Sequence, residues 1–391
     1  MTNEELCTVI QKYNWEFTEA NTQYLTHNIH RYSGKFIPQI AGKAIDLLTE
    51  PNDLILDSYM GSGTTLLEAM LRGRNSVGID LNPLAVLISR VKTTIVSSDD
   101  IVEIYSELLP FVNYLASGGQ LSLMSQPFDE DKINEQIEKN NWRIVDEWHC
   151  KWYQTDVLKQ LVQIYSCIEI IENEKAKNIA LVAFSDILRK SSNASSKYPN
   201  VMYDKNAKKK PLPAKPFLES LNNVVEAVKA LSYKMENKSC RAGIIMQNNL
   251  ALSIDSESVD AIISHPPYIA AVPYAEYGSL SLTWLGFDCK ALDGELTGGR
   301  RHSTQVVSRF SGDYKQYFFE SFRVLKPNKY MFLMVGNPTA HGARIELNEM
   351  TETYAKDAGF LHIATAIRHG QNRRGNKMGD EYLMFFQKVC K

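Results

Sequence analysis

Two short segments contain glycines and carboxylates at the spacing of a ligand-binding turn. Gly61 and Gly63 follow a strand pattern that ends at Asp57, and Asp80 closes the next strand pattern. Glycines let the backbone turn tightly against a ligand, and a carboxylate after the second strand can accept hydrogen bonds from ribose hydroxyls. Leu66 stands where a GxGxxG fingerprint has its third glycine, so we expect a nucleoside without phosphates.

A cationic ligand amine could then meet the carboxylate of Asp57, and S-adenosylmethionine combines an amine, a ribose and an adenine without phosphate. A plain tight turn between strand and helix is the alternative interpretation when the glycine segment is considered by itself.

A second motif, His265-Pro266-Pro267-Tyr268, directly follows an apolar strand pattern. Two consecutive prolines fix φ and remove two N–H donors, so the Pro266 carbonyl can serve as a rigid acceptor. An aromatic face can stack an extruded base while two acceptors take the hydrogens of its exocyclic amine. These acceptors would draw the amine toward tetrahedral geometry and free its lone pair to attack a sulfonium methyl. A turn that only ends a strand is the alternative, and the glycine segment upstream disfavours it.

These motifs resemble those of the DNA amino-methyltransferases, which modify N4 of cytosine or N6 of adenine. Residues 57–65 (DSYMGSGTT) are similar to the family's DPFxGSGTT, and residues 79–83 (IDLNP) to its second cofactor motif. The HPPY motif is similar to the family's (Ser/Asp/Asn)-Pro-Pro-Tyr. Residues 30–38 and 322–327 also resemble family segments, so the resemblance covers about residues 1–95 and 240–391.

The resemblance implies S-adenosyl-L-methionine as cofactor and defines the expected site. The residues expected to bind the cofactor are Lys35, Phe36, Asp57, Tyr59, Gly61, Gly63, Thr64, Asp80 and Asn82. The expected catalytic residues are His265, Pro266, Pro267 and Tyr268, with Tyr268 stacking the flipped base. No metal is expected to take part.

The sequence departs from the family motifs at two positions. Ser58 stands where proline is usual, which we expect to change only the turn. His265 stands where Ser, Asp or Asn is usual, and a neutral imidazole accepts a hydrogen bond in one tautomer only. Activity should therefore fall as His265 is protonated. Because Ser often accompanies cytosine N4 and Asp adenine N6, a neutral acceptor favours cytosine N4.

Two other functions remain open at this stage. One is methylation of an RNA base amine, although no RNA-binding domain is apparent in residues 96–239. The other is a non-catalytic nucleic-acid-binding subunit that retains the fold, which the intact Asp57, Gly61, Gly63 and Asp80 disfavour. A cytosine-C5 enzyme is rejected because no cysteine follows a proline.

The order strand, glycine loop, helix, strand is typical of a doubly wound, Rossmann-like α/β sheet. We predict that residues 1–95 and 240–391 form the catalytic domain, with an antiparallel edge hairpin at residues 361–367 and 381–387. The resemblance implies seven strands. Residues 96–239 are predicted to be a mainly helical insertion with a polar, loop-rich stretch at 116–141, and the resemblance implies a role in target recognition.

Charge is distributed unevenly along the 391 residues. The formal net charge of −2 excludes a generally polycationic coat protein, but residues 197–215 contain six lysines and one aspartate. The residues expected to contact the backbone of double-stranded DNA are Lys197, Lys205, Lys208, Lys209, Lys210, Arg300, Arg301, Arg373 and Arg374. A solvated surface is the alternative for each of these groups. In restriction–modification, a cognate restriction endonuclease would be a further partner.

The remaining features indicate a cytoplasmic protein without a metal centre. No two of the six cysteines are closer than 17 residues, and no run of 18 apolar residues occurs. His27 and His30 lack a nearby carboxylate or cysteine in sequence, so core or loop histidines are favoured over metal ligands.

Overall fold

The computed structural model describes residues 1–120, 127–198, 200–236, 239–269, 273–299, 303–340, 342–369 and 379–389. The helices are α1 Asn3–Lys12, α2 Pro38–Leu48, α3 Thr64–Leu71, α4 Pro83–Lys92, α5 Leu109–Ala116, α6 Glu130–Ile144, α7 Glu147–Trp152, α8 Thr155–Glu169, α9 Glu174–Ser191, α10 Ala214–Met235, α11 Tyr274–Tyr277, α12 Ser279–Trp284, α13 Cys289–Glu295, α14 Val306–Val324 and α15 Leu347–Ala358. The strands are β1 Leu54–Asp57, β2 Asn75–Asp80, β3 Ala242–Met246, β4 Val259–Ser264, β5 Leu325–Gly336, β6 Thr339–Ala340, β7 Ala343–Arg344, β8 Phe360–Arg368 and β9 Glu381–Lys388.

Seven of these strands form one sheet in the order β3-β2-β1-β4-β5-β9-β8. All neighbours are parallel except β9, which runs antiparallel to both β5 and β8. Every residue of β4 is buried, as expected for a central strand covered on both faces. The predicted doubly wound sheet with an antiparallel edge hairpin is therefore confirmed.

The chain order places a topological switch point beside β1. From β1 the chain first adds β2 and β3 on one side, and later adds β4 and β5 on the other. Ligands of open α/β sheets bind outside the carboxyl ends of the strands at such a point. The Gly61 loop after β1 and the HPPY motif after β4 both lie there.

Between β2 and β3 the regular elements of the described residues are helices joined by loops, apart from one bridge between Ala194 and Tyr203. The predicted loop at 116–141 is wrong, because α6 occupies much of it. Asp129 caps this helix by accepting from the Lys132 amide at 2.9 Å. The helix is mostly polar and buries little besides Ile133 and Ile144, so its apolar stripe is too thin to stand out in the sequence.

The insertion and the catalytic part share one hydrophobic cluster. Trp284, in α12 of the catalytic part, is 3% exposed and packs against Tyr165 and Phe184 of the insertion. Its indole Nε1 donates to the Tyr153 hydroxyl at 3.2 Å. The insertion thus packs on the sheet domain through a buried aromatic cluster. No helix in the described ranges combines the length and apolarity needed to cross a membrane.

Candidate active site

The loop after β1 is held in place by the carboxylate that ends β2. The Gly61 amide donates to Asp80 Oδ2 at 2.9 Å, and the Asn82 amide donates to Asp80 Oδ1 at 2.8 Å. Gly61 and Gly63 have φ of 50° and 76°, a region that strains other L-residues. A Cβ at Gly63 would also lie 2.8 Å from Ser89 Oγ. The two glycines therefore permit the turn that brings the loop onto Asp80.

A cavity with about 640 Å³ of empty space, partly open to solvent, lies at this end of the sheet. Its lining residues are Tyr32, Gly34, Ser58, Tyr59, Gly61, Asp80, Leu81, Asn82, Gln247, Asn248, Asn249, His265, Pro267, Tyr274, Glu295, Leu296 and Thr297. The cofactor loop and the HPPY motif thus open into one space, as the paired motifs predicted.

The lining of this cavity suits a cationic nucleoside. Asp80 and Glu295 contribute carboxylates, and no Lys or Arg is among the described residues that line it. Ser58, Tyr59 and Asn82 add polar residues to this lining. A few polar groups among apolar ones fit a polar ligand such as S-adenosylmethionine. Without a cation in the described wall, a phosphate ligand would be poorly compensated.

Asp57 lies behind the cavity. Its carboxylate accepts from Ser264 Oγ at 2.6 Å and from the Tyr59 amide at 3.2 Å, joining the ends of β1 and β4. Burial raises the pKa of Asp57 to about 6, and burial likewise raises the pKa of Asp80 to about 6. Asp57 is not among the residues that line the cavity, so its position suits support of the Tyr59 loop.

His265 contacts Tyr268 within the HPPY motif. The imidazole Nε2 lies 2.9 Å from the Tyr268 hydroxyl, and the ring also interacts with the Gly34 backbone. Burial lowers the pKa of His265 to about 4, so the imidazole is neutral near pH 7. The predicted loss of activity on protonation is therefore expected only in strongly acidic solution.

Tyr268 differs from its predicted stacking position. The residue is 5% exposed and lies outside the described wall of the cavity. Its ring packs on Gly336 at the end of β5, where a Cβ would lie 3.1 Å from Tyr268 Cε2. In this structure the ring is thus packed under the His265 imidazole and is not presented to a base.

Four predicted cofactor residues, Tyr59, Gly61, Asp80 and Asn82, line the cavity. The other five, Lys35, Phe36, Asp57, Gly63 and Thr64, are not among the described residues that line it. Lys35 Nζ donates to the carbonyl oxygens of His27 and His30 at 3.1 and 2.6 Å, and burial lowers its pKa to about 8. The Phe36 ring packs 5.3 Å from the His265 imidazole, between it and the core.

Sequence reasoning missed an aromatic cover over the glycine loop. Tyr32 and Tyr274 stack at 6.4 Å and an interplanar angle of 26°. A Cβ at Gly61 would lie 3.3 Å from the Tyr32 ring, and one at Gly34 would lie 2.9 Å from the Tyr274 hydroxyl. Tyr32 falls in the segment 30–38 that resembles the family, so a signal was available for it. No motif pointed to Tyr274.

His27 and His30 are core histidines, as the sequence favoured. His27 Nε2 lies 2.9 Å from Glu68 Oε1, and His30 Nε2 lies 2.9 Å from Ser185 Oγ. Within the described ranges, no three His, Cys, Asp or Glu side chains are grouped to hold a metal ion.

The predicted DNA-contacting residues fall into two sets. Lys197, Lys205, Lys208 and Lys209 are exposed on one loop of the insertion, and Lys210 is half-buried beside them. Arg300, Arg301, Arg373 and Arg374 lie outside the described residues.

The sheet order and the cavity after β1 and β4 define a doubly wound α/β domain with a ligand-sized cavity at its switch point. Residues 7–90 match a family model described as DNA methylase. The chain is 24% identical to the Type II methyltransferase M.MvaI of Kocuria varians, covering 92% of this chain and 87% of that one. It is 25% identical to M.BsoBI of Geobacillus stearothermophilus, covering 85% and 67%. These comparisons confirm the predicted resemblance to the DNA amino-methyltransferases.

A solved structure of an S-adenosylmethionine-dependent methyltransferase from Methanosarcina mazei aligns with 89% of this chain and 98% of its own, at 12% identity. Its TM-score of 0.35 is low, so the fold assignment rests on the order and direction of the strands.

Proposed function

We propose that this protein is a DNA methyltransferase that transfers a methyl group from S-adenosylmethionine to the exocyclic amine of a base. One observation carries the proposal: His265 and Pro267 line the same cavity as Asp80 and Asn82. A cofactor site and an amine-orienting motif that share one space can bring donor and acceptor together without a metal. The named relatives, all Type II methyltransferases, support a duplex DNA substrate and a role in restriction–modification.

In this proposal Asp80 accepts hydrogen bonds from the ribose, and the Gly61 loop lies against the cofactor. Tyr59 and Asn82, which line the same cavity, supply further contacts. Bound S-adenosylmethionine would supply an electrophilic methyl on a sulfonium. The two carboxylates of the wall, Asp80 and Glu295, would favour its positive charge over the neutral product.

His265 would act as the acceptor for the target amine. In the tautomer in which Nε2 carries the proton and donates to the Tyr268 hydroxyl oxygen, Nδ1 has a lone pair that can accept a hydrogen bond. Nδ1 and the Pro266 carbonyl would each accept one amine hydrogen, which raises the nucleophilicity of the nitrogen. The amine nitrogen forms the new bond to carbon, the sulfur keeps the electron pair of the broken bond, and one amine hydrogen leaves as a proton.

The proposed target is N4 of cytosine, supported by the neutral character of the acceptor. Burial keeps His265 uncharged near pH 7, so it resembles a serine more closely than an aspartate in this role. Adenine N6 is the alternative outcome.

The test is a methylation assay with labelled cofactor on duplex DNA, followed by sequencing that detects modified bases. Wild-type protein should label DNA, while Asp80→Ala should lose cofactor binding in calorimetry and His265→Ala should lose transfer but keep cofactor binding. A wild-type protein that binds cofactor but labels RNA in preference to DNA would overturn the substrate. One that binds no cofactor would indicate a non-catalytic subunit.

A further inference from the structure

Residues 193–204 of the insertion, here called the 193–204 hairpin, form a loop whose two arms are paired through main-chain hydrogen bonds (residue 199 lies outside the described chain). The Ser195 amide donates to the Met202 carbonyl at 2.7 Å, and the Asp204 amide donates to the Asn193 carbonyl at 2.9 Å. Asn193 in turn donates from its amide to the Trp152 carbonyl at 2.7 Å. The base of the hairpin is therefore fastened to the helical insertion through main-chain hydrogen bonds.

The side chain of Arg189 contacts three main-chain carbonyls of the hairpin. Arg189, near the end of α9, donates from Nη2 to the carbonyl oxygens of Tyr198 at 2.6 Å, Asn200 at 3.0 Å and Ser195 at 3.4 Å. A guanidinium always carries its charge and has fixed donor directions, so it can gather carbonyls from one loop. Arg189 thus shapes the hairpin before any partner binds.

The residues that the hairpin exposes are basic and aromatic. Lys197 is exposed next to Tyr198, whose side chain is 53% exposed, and Met202 is 46% exposed. The following residues, 205–215, carry five lysines. Gln154 holds them in place, donating to the Lys208 carbonyl at 3.0 Å and accepting from the Lys210 amide at 3.1 Å. Basic and aromatic side chains therefore project from a backbone that is already ordered.

Arg189, which contacts the hairpin, lines a second cavity next to the candidate active site. Arg189 and Lys190 line a second cavity, with about 1040 Å³ of empty space partly open to solvent, between α9 and the catalytic part. Tyr32 and Tyr274 line both this cavity and the first one. The side chain that holds the hairpin is thus part of a cavity that adjoins the one containing His265.

We infer that the 193–204 hairpin and the lysine-rich residues 205–215 that follow it form a docking surface for duplex DNA, in which Tyr198 makes the nonpolar contact and the lysines contact phosphates. This inference rests on the proposed function. Tyrosine offers a large apolar face at low entropic cost, and lysines carry the salt-dependent part of DNA affinity. An ordered loop also avoids the ordering cost that a mobile one would incur on binding. A surface of this composition beside the second cavity fits a duplex that lies across the mouth of that cavity.

The experiment measures the affinity of a methylatable duplex at several salt concentrations. Tyr198→Ala should weaken binding about tenfold at every salt concentration and leave the slope of log affinity against log salt unchanged. The triple charge reversal Lys208→Glu, Lys209→Glu and Lys210→Glu should instead reduce the slope, by about 0.9 for each lysine that contacts a phosphate. The two kinds of contact are thereby separated in one series.

The controls are matched in residue type and in location within the insertion. Tyr233→Ala removes a tyrosine that is 82% exposed on α10, and Lys139→Glu, Lys159→Glu and Lys234→Glu reverse three exposed lysines on its helices. Tyr233→Ala should bind DNA more tightly than Tyr198→Ala, and the control triple variant should bind DNA more tightly than the triple variant at Lys208, Lys209 and Lys210. If Tyr198→Ala equals Tyr233→Ala and the two triple variants share one slope, the hairpin is only a solvated surface.

The role of Arg189 is tested with Arg189→Met, which should weaken DNA binding although Tyr198 and every lysine remain. Trypsin should cleave after Lys197 faster in this variant, and Arg189→Lys should restore part of both properties. Unchanged cleavage and unchanged DNA affinity would show that Arg189 does not hold the hairpin in its conformation. Cofactor binding measured by calorimetry should be the same in all hairpin variants. If the wild type binds no cofactor, the proposed function is wrong. If the wild type binds cofactor but the hairpin variants bind DNA as their controls do, only the inference about the hairpin is wrong.

Discussion

The imidazole Nε2 of His265 lies 2.9 Å from the hydroxyl oxygen of Tyr268, three residues along the same rigid loop. Because the pKa of His265 is lowered to about 4, the pair is neutral and one of the two must donate to the other. A proton on Nε2 leaves Nδ1 free to accept, whereas a proton on Nδ1 would abolish its acceptor function. The proposed chemistry therefore requires that the Tyr268 hydroxyl accepts from Nε2 and does not donate to it.

Tyr268→Phe should lower kcat about tenfold or more, because the imidazole loses its partner while the ring packing on Gly336 is kept. Cofactor affinity should not change. His265→Asn, which retains an acceptor oxygen, should be more active than His265→Ala in the same steady-state assay. Full activity of Tyr268→Phe would show that the hydroxyl does not orient the imidazole.

Cofactor binding should weaken in acid with an apparent pKa near 6. In the proposed complex, ribose hydroxyls donate to the ionised Asp80, so binding lowers its pKa from about 6 and affinity is greatest above that value. As the pH falls through 6, affinity should drop by at most about tenfold per pH unit for this one group. Calorimetry between pH 5 and 8 measures the effect.

Two variants identify the group responsible. Asp80→Asn should bind weakly and lose most of the pH dependence. Asp57, whose pKa is also raised to about 6, accepts hydrogen bonds from Ser264 and Tyr59, so Asp57→Asn should keep that dependence. The reverse result would assign the ligand contact to Asp57.

Glu68, at 0% exposure, should be a large contributor to stability. It accepts from His27 at 2.9 Å and Tyr24 at 2.6 Å, and pairs with Arg72. Burial opposes ionisation, but the hydrogen bonds from His27 and Tyr24 bring the pKa of Glu68 below its usual value. Its contribution is therefore present above the unfolded-state pKa and lost as the pH falls through the folded-state pKa.

Glu68→Ala should lower the free energy of unfolding in urea by about 3–5 kcal/mol, because Arg72 and His27 lose their buried partner. The exposed Glu172→Ala should change it by less than about 0.5 kcal/mol. Equal stability of the two variants would mean that water replaces the carboxylate at no cost.

The contacts of Trp284 with the insertion should contribute to the free energy of unfolding of the protein. Trp284→Ala removes a buried ring that contacts Tyr153, Tyr165 and Phe184, and should cost about 3–5 kcal/mol in the free energy of unfolding. Trp142, at 87% exposure on α6, provides a matched control whose replacement by alanine should cost little. A small effect of Trp284→Ala would indicate that the insertion is stable without this contact.

The sequence by itself determined the features that depend on neighbouring residues. The strand, glycine turn and strand from β1 to β2 and the apolar β4 before HPPY are local patterns, and parallel strands bring their carboxyl ends to one edge. Gly61, Asp80 and His265 could therefore be assigned to one site from their local patterns alone. The helix α6 was not predicted, because its few buried side chains give only a weak helical periodicity of apolar residues.

Tertiary structure decided which way the motif side chains face and what covers them. Tyr268 turns toward Gly336 because β5 ends beside β4, a contact between residues 68 positions apart. Tyr274 covers the cavity only because the chain after β4 folds back over the Gly34 segment, and Arg189 meets the hairpin through the end of α9. Such contacts arise from the packing of distant segments, and no local pattern encodes them.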